Sequence, residues 1–281
     1  MATLSTTLQR FALLCLMTGT LAGCASAPLE PAAVRDFKRH QRLGGEHYQA
    51  GRLADARKEF IAARSSAERD DSDHHAALAC LGLGATALLL GDFDEATQAF
   101  GLARKLAGNG NPMALAQIGL AEIARRGGKP TEAGEMFDTV LANPAIPEET
   151  RLQALNGRAL VALAMGDLDG AEAMLKIAET RARENWPAIL AATLANQARL
   201  SLRREHHREA ISRAREALAI DRNLHHPPAI AADHVLLAEV LQELGNPEDA
   251  RAHLERAEML YGYTGQGGER TRVRATRAAS R

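Results

Sequence analysis

The stretch GDFDEATQAFGLA, Gly91–Ala103, decides how this sequence folds. It opens on glycine, sets an apolar residue two positions on, alanine five on, a large apolar residue nine on and alanine twelve on. The same order returns in GRLADARKEFIAA from Gly51 and GDLDGAEAMLKIA from Gly166. It returns with small changes in GKPTEAGEMFDTV from Gly128 and GNPEDARAHLERA from Gly245. EHHREAISRAREA from Glu205 is the most degraded copy, with glutamate in place of the leading glycine. The shared alanines are Ala56, Ala96, Ala133, Ala171, Ala210 and Ala250, spaced 40, 37, 38, 39 and 40 residues apart. A period in this range marks a stacked array of supersecondary units.

Each unit reads as two helices. Aromatic residues are only 4 % of the chain, and no segment alternates as a β-branched strand, so the composition predicts an all-α protein. Two antiparallel helices approach closely only where side chains are small, which puts glycine or alanine at the crossing and a large apolar residue beside it. One such pair cannot bury both of its apolar faces, so the copies must stack. Asp92 and Asp167 are placed to cap second helices, with Glu95 set for a capping-box contact. Pro130 and Pro247 fit the first turn of second helices. Pro112, Pro144, Pro187, Pro227 and Pro228 fall between units, where helices should stop.

Leu43, Gly44, Tyr48, Gly51, Ala56, Phe60 and Ala63 of the first copy resemble the tetratricopeptide repeat. So do Leu83, Gly84, Gly91, Phe93, Ala96, Phe100, Ala103 and a delayed Pro112 of the second. The resemblance covers about residues 34–262. Copies four to six lack the signature aromatics and carry Ala159, Ala198 and Ala238 where the first helix usually has glycine. The period exceeds the family's usual length of about 34 residues, which predicts longer helices or longer loops. The resemblance implies a right-handed α-solenoid of about six helix–turn–helix repeats, twelve helices in all, elongated and with a concave groove.

The chain begins with a polar segment carrying Arg10, followed by a mostly apolar run from Phe11 to Gly23. Thirteen residues are too few for a membrane span, which needs roughly 20, and fit the hydrophobic region of a signal peptide. Leu21-Ala22-Gly23-Cys24 resembles a bacterial lipobox. That resemblance implies cleavage before Cys24 and lipid on it. Because residue 25 is alanine and not aspartate, it implies the outer membrane, with the protein facing the periplasm. The expected organisation is a signal peptide over 1–23, a lipidated cysteine and tether over 24–33, a solenoid over 34–263 and a disordered basic tail over 264–281. The tail holds five arginines and one glutamate. Cys15 leaves with the signal and Cys24 carries lipid, so Cys80 reads as a buried structural thiol.

No constellation for catalysis stands out. Gly82-Leu83-Gly84 superficially resembles a dinucleotide loop but follows no strand. The pairs His74-His75, His206-His207 and His225-His226 read as exposed loop residues, since neighbours do not share a helix face and no Cys–His framework accompanies them. No catalytic residue, metal ligand or cofactor is therefore expected, and the chain reads as a non-enzyme. Nucleic acid is excluded as a partner, because the body from Cys24 to Tyr263 has 28 basic against 34 acidic residues.

The family resemblance also implies that fixed positions of each first helix face the groove. Carried over, these include Tyr48, Gln49, Leu88, Glu122, Arg125, Arg126, Asn156, Arg199, Arg203 and Glu239. Arg125, Arg126, Arg199 and Arg203 would form an electropositive strip for the acidic side chains or C-terminus of a peptide. The function expected is a membrane-anchored scaffold that binds another envelope protein or its peptide segments, with pilus or secretin assembly as the narrower reading. The alternatives are a periplasmic ligand-binding or sensing module, a recruiter of cell-wall hydrolases, and a part of outer-membrane protein insertion.

Overall fold

The computed structural model describes residues 30–279. The expected signal peptide, Cys24 and most of the tether lie outside the described residues. Within them the chain forms thirteen helices and no strand. They pair in chain order: α1 (Ala32–Gln49) with α2 (Leu53–Arg69), α3 (Asp73–Leu90) with α4 (Phe93–Leu106), and α5 (Asn111–Arg126) with α6 (Pro130–Leu141). Three more pairs follow: α7 (Glu148–Met165) with α8 (Leu168–Ala182), α9 (Pro187–Arg203) with α10 (His207–Asn223), and α11 (Pro227–Glu243) with α12 (Pro247–Thr264). A thirteenth helix, α13 (Gly267–Ala279), packs against α12. The surplus over a 34-residue repeat lies in the helices, since α1, α3, α7 and α12 each run 18 residues.

Local chemistry sets the boundaries. Asp92 accepts from the Glu95 backbone N–H and Asp167 from that of Gly170, each satisfying an orphan donor at a second-helix start. The Glu95 side chain does not close the expected capping box; it reaches across the repeats to Arg57 instead, 2.9 Å away. Pro130 and Pro247 occupy first helical turns, as do Pro112, Pro187 and Pro227. The tight turn inside five of the repeats uses a left-handed glycine, and the degraded fifth copy puts Glu205 there at φ 61°.

All six shared alanines are fully buried. Between them lie small apolar clusters repeated along the array, not one central core. Phe60 is held between Gly44 of its own repeat and Gly82 of the next, and Phe100 between Gly84 and Gly119. Cys80 is buried, and burial pushes its thiol up.

Two expectations are corrected. Residues 264–281 are not a disordered tail over their described length: α13 buries Val273, and its arginines meet the acidic face of α12. Arg274 lies 2.8 Å from Glu258, and Arg277 lies 3.2 Å from Glu258 and 3.4 Å from Glu255. Charge pairing at helical spacing, around one apolar anchor, folds a segment that composition alone reads as solvated. It caps the last repeat, whose outer face would otherwise be bare.

Nor is the solenoid an open, elongated rod. The first helices of consecutive repeats also touch one another, and the array curves until its ends meet. Gln266 Nε2 donates to the Leu89 carbonyl at 3.1 Å, across 177 residues of chain. Thr264 and Pro227 pack on the Gly51 turn, where an added Cβ would lie 2.9 Å from Thr264 Cγ2.

Candidate functional site

The curvature turns the concave groove into a half-open chamber of about 610 Å³, within the range of small-ligand sites. Its walls come from both ends of the array. Leu89 and Phe93 are contributed by the second repeat, Arg125 and Arg126 by the third, and Arg199 by the fifth. His226, Val235, Glu239 and Tyr261 come from the sixth, and Gln266, Glu269 and Arg272 from the C-terminal segment. The apolar wall and the guanidinium groups suit a ligand that is itself part apolar and part anionic.

Of the ten residues expected in the groove, Arg125, Arg126, Arg199 and Glu239 line this chamber. Tyr48 stands at its edge, its ring 6.2 Å from that of His226. Burial pushes the Tyr48 hydroxyl up to about 12, against the lowering charge of Arg126. Glu122 sits beneath the two arginines, 2.7 Å from Arg125 and 2.6 Å from Arg126. Burial alone would raise its carboxyl, but the hydrogen bonds and charges of both arginines together hold it below the usual range.

The other predicted positions go elsewhere. Leu88 packs into the cluster of Ala87, Ala96 and Phe100, and Gln49 is exposed at the end of α1. Arg203 donates to the Leu163 carbonyl at 3.3 Å and leaves the chamber wall. The strip of four arginines is therefore broken: Arg203 is outside it, and Arg125 and Arg126 share one carboxylate. Of the two adjacent leucines of the second copy that the resemblance implied for the groove, Leu89 lines the chamber and Leu88 does not.

Asn156 is buried, but in a relay and not on the wall. Arg199 Nη1 donates to Asn196 Oδ1 at 3.1 Å, Asn196 Nδ2 to Asn156 Oδ1 at 3.2 Å, and Asn156 Nδ2 to Thr193 Oγ1 at 2.9 Å. Thr193 Oγ1 then donates to the Ile189 carbonyl at 2.8 Å. Burial pulls the Arg199 guanidinium down from its ordinary value, opposed by the charges of Glu239 and Asp233. Glu239 is in turn pushed up by burial, with Arg199 and Arg272 opposing.

Sequence reading missed His226, Tyr261, Gln266, Glu269 and Arg272 as wall residues. His226 had been read as an exposed loop residue; it precedes α11 and is partly buried, which lowers its pKa. The available signal was Arg270, Arg274 and Arg277 spaced three and four apart around Val273, a helix period inside the supposed tail. Two further pairs of titratable side chains, not among the lining residues, are wholly or partly buried in the last repeats. Asp221 and Asp233 share a hydrogen bond, and burial raises them to about 6 and about 8. His234 and His253 meet with their Nδ1 atoms 2.7 Å apart, and burial lowers His234 to about 4. Among the described residues, no three His, Cys, Asp or Glu side chains converge as a metal-binding group.

The tetratricopeptide repeat family profile matches residues 77–101, 152–176 and 234–256. The chain carries tetratricopeptide repeats. Repeats of this type stack into protein-interaction scaffolds with an extended concave surface. No curated protein sequence matches the chain. Among solved structures, a Rap protein complexed with competence and sporulation factor superposes at TM-score 0.64 and 10 % identity, over 90 % of this chain and 78 % of that one. PilW, a widely conserved type IV pilus biogenesis factor, superposes at 0.53 and 19 % identity, over 82 % of this chain and 96 % of that one. A chain of the APC/C hetero-tetramer Cut9–Hcn1 superposes at 0.59 and 19 % identity, over 84 % of this chain. This chain spans 42 % of that one, less than half its length. At these identities the likeness is one of fold.

Proposed function

We propose that this protein is a non-enzymatic adaptor, anchored by lipid on Cys24 to the outer membrane and facing the periplasm, which holds a segment of another envelope protein in its concave chamber. The observation that carries the binding role is the chamber itself, where arginines from three separate parts of the chain stand beside an apolar wall. The lipobox-like Leu21-Ala22-Gly23-Cys24 supports the anchor. The fold shared with the pilus biogenesis factor PilW supports pilus or secretin assembly as the setting.

A second reading is a ligand-binding or sensing module. It is favoured by the closure of the superhelix through Gln266 and Leu89, which limits what the chamber can hold.

Two experiments test these readings. A photo-crosslinker at Ala229 in the chamber should trap a defined envelope protein in the native bacterium, while one at exposed Met165 should not. Equal labelling from both positions, or no protein partner alongside small-molecule thermal-shift hits, rejects the adaptor. Cys24→Ser should abolish lipid labelling and release the protein from membranes; unchanged retention rejects the anchor.

A further inference from the structure

We propose that Arg199 is the carboxylate-binding residue of the chamber, and that it takes the aspartate or glutamate side chain of an acidic peptide segment. This rests on the reading that the chamber is the binding surface, and deepens it. The chamber has four arginines, but they are not equivalent. Arg125 and Arg126 are both committed to Glu122, and Arg272 lies 3.3 Å from Glu269. Arg199 makes no ion pair within 4.0 Å among the described residues.

Its one side-chain hydrogen bond, to Asn196, holds it in place. The relay beneath runs from the guanidinium through Asn196, Asn156 and Thr193 to the Ile189 carbonyl, with a branch from Asn156 Nδ2 to the Leu152 carbonyl. A guanidinium has five N–H donors in a rigid fork, so most of its capacity is unspent by the protein. Glu239 and Asp233 act on it only from beyond ion-pair distance. A half-buried cation with no direct ion-pair partner is costly, and a bidentate carboxylate is the group whose geometry matches it. Val235, Tyr261 and Leu89 line the same chamber and offer apolar surface for the side chains that flank an acidic residue. Glu239 shares the wall and repels a bound carboxylate, so it weakens the site while Arg199 makes it.

The test uses the full chain, purified in mild detergent. The probes are fluorescent hexapeptides blocked at both ends, with randomised apolar positions around one fixed Glu, and a matched set with Gln. We expect the Glu set to bind about tenfold or more tightly than the Gln set, the equivalent of one charge-assisted contact of about 1.4 kcal/mol. Arg199→Gln should erase the preference, Arg199→Lys should keep part of it, and Glu239→Gln should increase it. Arg203→Gln, outside the chamber, should leave it unchanged.

Equal binding of the two sets, binding of neither, or a preference that survives Arg199→Gln would overturn the assignment. So would a variant pattern reproduced by thermal destabilisation alone. An envelope partner still trapped at Ala229 in the Arg199→Gln protein would leave the adaptor standing and remove this site.

Discussion

Phe137 in α6 lies against Gly157 in α7 so closely that a Cβ on that glycine would sit 2.3 Å from Phe137 Cζ. The same match of ring to glycine joins Phe60 to Gly82 and Phe100 to Gly119. Where the large residue shrinks to Leu175 and then to Ala214, the matching position of the next repeat becomes Asn196 and then Leu236. Repeat-to-repeat contact is thus a conserved volume shared between two sequence positions about 20 residues apart. Gly157→Ala should cost about 1–3 kcal/mol by overpacking. The combination with Phe137→Leu should recover part of that loss, with a coupling of about 1 kcal/mol or more in a double-mutant cycle. Strict additivity in denaturant unfolding would refute the match.

Glu205 holds φ 61°, where the equivalent turns use Gly51, Gly91, Gly128, Gly166 and Gly245. A left-handed non-glycine residue costs about 1–2 kcal/mol, partly offset by the greater freedom of glycine in the unfolded chain. Glu205→Gly should therefore raise stability by about 0.5–1 kcal/mol. An unfolding midpoint that falls would count against the strain.

The contact between the ends of the superhelix can be isolated with two glycines. Gly51 and Gly166 both have positive φ, at 71° and 84°, but only Gly51 has a neighbour in the way, Thr264. Gly166→Ala should cost about 1–2 kcal/mol from backbone strain alone. Gly51→Ala should cost about 1 kcal/mol more, from the added crowding, and Thr264→Ser should remove the excess. Equal losses at the two glycines would mean that the ends do not touch in solution.

The Asp221–Asp233 pair makes stability depend on pH. Its folded pKa values, about 6 and about 8, lie above the ordinary 3.8, so the folded state binds protons more readily than the unfolded one. Its contribution is complete below about pH 4 and drains as pH rises through 6 and 8. Asp233→Asn keeps a hydrogen-bonding partner that cannot ionise. It should flatten the fall in Tm between pH 5 and 8.5, and raise Tm at pH 8.5 by about 2–4 °C for each kcal/mol recovered. A wild-type slope retained in the variant would show that the pair does not carry the effect. His234, lowered to about 4, acts in the opposite sense: its contribution is present above about 6.5 and is lost as pH falls toward 4.

How much was legible in the sequence follows from the range of each interaction. Helix boundaries, turn glycines, the Asp92 and Asp167 caps and the buried alanines are set by contacts within one repeat or between adjacent ones. Six copies of the same pattern state those contacts six times over. The packing role of Gly82, Gly119 and Gly157 was not legible because their partners lie one repeat back and must be placed before the size match is visible. The basic tail was misread because its charge suggests solvation until α12 presents Glu255 and Glu258 to it.

What the sequence determined by itself is the repeating unit: two helices, small residues at their crossing, and an apolar face that only a neighbour can cover. Tertiary structure alone decided the curvature, and with it the chamber. The rotation from one repeat to the next is small, and it accumulates over six steps. Whether Gln266 meets Leu89 depends on the sum of those rotations, which no single repeat encodes.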